Sequence, residues 1–69
     1  MKGNLLLLHI PEKFRDAIYR AVVPFDERHR VVNRSRVKVV RNDAIARYLD
    51  KHPDQVIALV TAARLGVDR

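Results

Sequence analysis

The chain has 69 residues, 48% hydrophobic and 32% charged, with no cysteine and a formal net charge of +6. A chain of this size buries about 60% of its unfolded surface, which leaves room for one core and excludes a second domain. Disulfide staples and cysteine-held metals are excluded too; the composition fits a reducing compartment, and the apolar run Leu5 to Leu8 is too short for a signal-peptide core or a membrane span, so the expected location is the cytoplasm.

In chain order, Leu5-Leu6-Leu7-Leu8-His9-Ile10 is a continuous apolar run that reads as a buried strand or as an apolar arm. Pro11 suits the first turn of a helix. Phe14, Ala17, Ile18, Ala21 and Val22 then recur at helical spacing and give one apolar stripe, with Glu12, Lys13, Arg15, Asp16, Tyr19 and Arg20 on the other side. Pro24 stops that helix. From Arg28 to Val40, β-branched residues alternate with cations about Asn33-Arg34-Ser35, which predicts a β-hairpin. A three-residue loop there pairs Val31 with Val37, His29 with Val39, Arg30 with Lys38 and Val32 with Arg36, and so separates a valine face from a basic face.

Asn42 or Asp43 is placed to cap a helix through Ala44, Ile45, Tyr48 and Leu49 that ends near His52, because Pro53 disfavours helical geometry before it. Pro53 and Asp54 open a last helix through Val56, Ile57, Leu59, Val60, Ala63 and Leu65, with Gly66 as its expected carboxyl-terminal cap. Ala58 and Ala62 make this helix apolar nearly all round. It is either the centre of the core or a helix with one side turned to a partner. The fold class this predicts is α+β, a single small domain in the order strand, helix, β-hairpin, helix, helix.

The charge excess lies in one segment. Arg28, Arg30, Arg34, Arg36, Lys38 and Arg41 stand between residues 28 and 41 with no acid among them, while the rest of the chain holds eight cations and eight acids. Such a block steers polyanions or acidic protein surfaces toward itself, or it is a solvated face that keeps the protein soluble. These six residues are the candidate partner-binding site.

Catalysis has little support. There is one serine, in the expected turn, and His9, His29 and His52 lie in separate elements without metal-ligand spacing, so neither a metal nor another cofactor is expected. The surviving enzymatic alternative is a small basic ribonuclease with Glu27 or His29 as base and Arg30 or Arg36 on the phosphate. The two helices around Pro53 also suggest a helix-turn-helix through Ile45, Ala46, Leu49, Val56 and Leu59. The turn position that usually takes glycine is Asp50, however, and the second helix offers chiefly Gln55, Thr61 and Arg64 to a nucleic acid. A basic hairpin suits DNA or RNA phosphates better, yet Phe14, Tyr19, Phe25 and Tyr48 all lie outside it, so stacking on bases is not expected. The same cations suit carboxylates on an acidic protein.

Across the whole chain, from Lys2-Gly3-Asn4 through Val31-Val32-Asn33-Arg34-Ser35-Arg36 to Asn42-Asp43-Ala44-Ile45-Ala46-Arg47-Tyr48-Leu49, the sequence resembles the small RNA-polymerase-binding proteins of lytic bacteriophages, of the Xanthomonas phage type. The resemblance implies a non-enzymatic transcription inhibitor or antiterminator whose partner is the bacterial RNA polymerase. It assigns no residue. Direct DNA or RNA binding stands as the alternative, and no membrane partner is expected.

Overall fold

The computed structural model describes residues 2–28 and 34–67, with Arg34 and Val67 described by their backbone alone. Among these residues, helices run in the order α1 (Lys2–Leu7), α2 (Glu12–Val22), α3 (Phe25–Arg28), α4 (Val37–Lys51) and α5 (Val56–Val67), with 3-10 turns at Arg34–Arg36 and Pro53–Gln55. There is no strand among the described residues. The described residues are therefore all-α, and the α+β expectation is overturned.

The hairpin is the largest correction. Its second strand, Arg36 to Val40, forms the end of a 3-10 turn and the first turn of α4. Val37, Lys38 and Val39 are thus helical, and the pairings proposed for them and for Arg36 do not exist; the opposite partners, His29, Arg30, Val31 and Val32, lie outside the described residues. The physical reason is a second periodicity. Val37, Val40, Arg41, Ala44, Ile45, Tyr48 and Leu49 recur at helical spacing, and Ile45 and Leu49 are completely buried. A valine in a helix costs at most about 0.7 kcal/mol relative to alanine, whereas burying an isoleucine or leucine contributes about 1.5–3 kcal/mol. Packing wins over β-propensity, and α4 begins at Val37 and not at Asn42 or Asp43.

The leucine run is not a strand either. Residues 5–7 belong to α1, and the chain then leaves the helix through three tight amide bonds, Leu8 to Leu5 O, His9 to Leu6 O and Ile10 to Leu7 O, before Pro11. The Arg15 guanidinium reaches back to the carbonyls of Leu7 and Ile10 at 3.5 and 3.2 Å and so satisfies acceptors left over at this helix end. Leu7 and Ile10 enter the core, while Leu5 and Leu8 stay in solvent.

α2 follows most of its stripe: Phe14 and Ile18 are buried and Ala17 and Val22 half-buried, whereas Ala21 is exposed and Tyr19, expected on the other side, packs half-buried against the core. It packs on both α4 and α5, and α1 crosses α4 on another side. Leu7, Ile10, Phe14, Ile18, Ile45, Leu49 and Ala63 form the common core. The α1–α4 crossing is close enough that a Cβ on Gly3 would collide with the Ala46 carbonyl. Gly66, expected as a cap, lies inside α5, and no glycine has positive φ.

Candidate partner-binding surface

The six cations separate into different environments. Arg41 is 3% exposed and belongs to the interior. Its Nη1 donates to Asp16 Oδ1 at 2.9 Å and its Nη2 to Glu12 Oε1 at 2.5 Å, while Nε and Nη2 also meet Asn42 Oδ1 at 3.2 and 3.1 Å. Burial alone disfavours the Arg41 charge, but hydrogen bonds to Glu12 and Asp16 and their attraction outweigh it and raise its pKa further. Glu12 is held below the ordinary carboxylate value, first by its hydrogen bond to Arg41 and then, against some desolvation, by the nearby charges of Arg41, Arg15 and Lys38. Arg41 is thus spent tying α4 to α2.

Arg36 and Lys38 are exposed at the start of α4. Arg36 occupies the position before the helix without a side-chain cap, and the first turn contains no acid. The partial positive charge of a helix amino end is stabilised by anions, so cations there are set against the local field. Arg28 ends α3 with its guanidinium 5.7 Å from the centre of the exposed Phe25 ring. Its Nε is enclosed and has no hydrogen-bond acceptor among the described residues. Arg34 contributes backbone to the 3-10 turn, and Arg30 lies outside the described residues.

A groove of about 420 Å³ runs beside this end of α4, with Tyr19, Val23, Val39 and Val40 among its walls and Arg36 and Arg47 among its charges. Arg47 was not singled out by the charge block, although its i, i+4 spacing from Asp43 marks it in the sequence; the pair closes at 2.8 Å. Glu27 shares the groove with Arg36, so two of the residues considered for phosphate chemistry meet there; His29 and Arg30 lie outside the described residues. No group of three or more metal-ligating side chains occurs among the described residues. Nor is any helix among them long and apolar enough to cross a membrane.

α4 and α5 are joined through His52 and the Pro53–Gln55 turn, and both pack against α2. The outward side of α5 nevertheless presents Ile57, Ala58, Thr61, Ala62, Arg64 and Leu65, with one cation among them. Phosphate contacts supply most nucleic-acid affinity, so this helix is poorly equipped for a major groove. Comparison with protein-family models, curated proteins and solved structures finds no match to this chain in any of the three.

Proposed function

We propose that the protein is a non-enzymatic transcription regulator that docks on an acidic surface of the bacterial RNA polymerase in the cytoplasm, through the amino end of α4 and the adjoining cations. One observation carries the binding half of this reading: Arg36 and Lys38 stand exposed at a helix start that has neither a side-chain cap nor an acid in its first turn. An incoming carboxylate gains the cations and the positive end of the helix dipole together. The choice of polymerase rests on the sequence resemblance, and the non-catalytic reading rests on the absence of cysteine and the scattered histidines.

The test is capture from bacterial lysate with and without nuclease, followed by salt titration against purified polymerase and random duplex DNA. Polymerase retained after nuclease supports the reading. Retention only with nucleic acid present, and a loss of several decades of affinity per decade of salt, points to direct phosphate binding instead. Equal binding by the Arg30→Glu, Arg36→Glu, Lys38→Glu triple variant would remove the cations from the interface altogether.

A further inference from the structure

The outer side of α5 bears an apolar stripe that the fold does not use. Ile57 and Leu65 are 80% and 64% exposed, and with Thr61 between them they align along one side of the helix at i, i+4 and i+8. The one polar group on this line is already satisfied, since the Thr61 hydroxyl donates to the Ile57 carbonyl at 2.8 Å. Covering it therefore leaves no donor without an acceptor. Ala58 and Ala62, also exposed, flank the line and permit an approach near the short end of the roughly 8–10 Å range of helix separations. Beside the stripe, Leu6, His9, Pro53, Val56 and Val60 line a mainly apolar groove of about 490 Å³ together with Ile57 and Thr61, with Asp54 as its one acid.

From this stripe, its neighbouring groove and its charge, we infer that the protein self-associates through α5 as a two-fold antiparallel dimer centred on Thr61. The stripe is symmetric about that residue, so Ile57 of each copy faces Leu65 of the other, and each Leu65 reaches the groove beside the opposing Ile57. Charge selects a second copy over other occupants. In a chain of net charge +6, Arg64 is the single charged residue of α5 and Asp54 is the one acid of the adjoining groove, so two copies repel little across this side. An anionic lipid surface or an acidic protein is better served by the cations near α4. Antiparallel pairing also keeps the two Arg64 side chains about 9 Å apart along the axis, where parallel pairing sets them side by side. Stripe and groove supply about half of the roughly 20–30 residues per side of a standard interface, which makes the dimer weak and concentration-dependent.

This inference is independent of the transcription reading and has the opposite salt response. Salt screens the repulsion between two cationic copies and strengthens the dimer, whereas it weakens binding of an anionic partner. Sedimentation equilibrium from about 10 µM to about 1 mM, the range in which weak complexes populate, reads it directly. The mass is expected to rise from 8.0 kDa toward twice that value, and further at higher salt. Ile57→Glu and Leu65→Lys alone should remain monomers with unchanged helical circular dichroism, because both positions are exposed. Mixed together they should recover a heterodimer, in which the introduced carboxylate of one variant meets the introduced ammonium of the other and the second Leu65–Ile57 contact stays intact. A wild-type monomer throughout, variants that dimerise like wild type, or a mixture that fails to recover each overturns the proposal. So does a monomer that neutral phosphatidylcholine vesicles deplete, which assigns the stripe to lipid.

Discussion

The backbone amide of Gly3 donates to Oδ1 of Asp50 at 2.6 Å, so a carboxylate near the end of α4 closes the first turn of α1. An amide near a helix start lacks an internal acceptor, and Asp50 supplies one from a distant part of the chain along with a charge suited to that end of the dipole. The same contact demands glycine, since any Cβ at position 3 meets the Ala46 carbonyl. Gly3→Ala is expected to cost about 1–3 kcal/mol through overpacking against backbone. Asp50→Ala should cost about 1 kcal/mol as a lost cap, and Asp50→Asn less, because it keeps the acceptor. Urea titrations of the three variants check the order; a Gly3→Ala protein as stable as wild type contradicts the close crossing.

The Arg41 cluster predicts an asymmetry. The Arg41 side chain is 4% exposed, but those of Glu12 and Asp16 are 56% and 65% exposed. Removing the cation leaves two carboxylates that water can solvate, whereas removing both carboxylates strands a buried guanidinium. Arg41→Met, which keeps the packed stem, should cost no more than about 1 kcal/mol. The Glu12→Gln, Asp16→Asn double variant should lose clearly more stability. Equal small losses from the two proteins, both of which keep the stem, would mean that the packing of the stem, and not the charge, is what holds α4 to α2.

Glu12 gives the cluster a pH dependence whose sign is fixed. Its pKa in the folded chain lies below the value of 4.5 that it has when unperturbed, chiefly because of the hydrogen bond from Arg41. Between those two pH values the unfolded chain binds more protons, so stability rises with pH. The contribution is fully present above about pH 4.5 and is lost as pH falls through the folded-state value. Thermal melts from neutral pH down to about pH 3 should show this loss, and Glu12→Gln should show a shallower acid slope at a lower starting stability. An unchanged slope in the variant assigns the acid sensitivity to other carboxylates.

α2 was legible in the sequence because its stripe is unambiguous and Pro11 and Pro24 bound it; it runs from Glu12 to Val22. α5 was legible as a helix beginning about Pro53, and its all-round apolar character resolves in favour of an outward-facing side. The first turn of α4, Val37 to Val40, reads as a strand in the sequence, and Arg41 is part of the reason. Read as a surface cation, Arg41 breaks the helical stripe between Val37 and Ala44 and leaves only the alternation that suits a strand; read as a core residue neutralised by Glu12 and Asp16, it completes the stripe. No local pattern announces a buried arginine, because its two partners lie 29 and 25 residues away. The leucine run failed for a different reason. Uninterrupted apolar residues carry no periodicity, and only the docking of Gly3, Leu7 and Ile10 against the rest of the fold separates their inner side from exposed Leu5 and Leu8.

Of the candidate site, the concentration of cations was legible, but not their division of labour. Arg36 and Lys38 sit where a helix favours anions, which sets stability against binding at the same atoms. Arg36→Asp should replace a cation by an anion at the positive end of the α4 dipole and stabilise the fold by about 0.3–1 kcal/mol. Lys38→Glu gains from the dipole but loses a favourable neighbour of Glu12, so its net effect on stability should be smaller. Both should weaken binding to an anionic partner, and Arg36→Asp should do so while raising the melting temperature. Calorimetry and a binding titration on the same preparations decide the matter. A variant that binds less because it is less folded melts lower, whereas a site residue that works against its own helix melts higher. If Arg36→Asp melts higher and still binds polymerase and duplex DNA as well as wild type, the cations at this helix start serve neither partner.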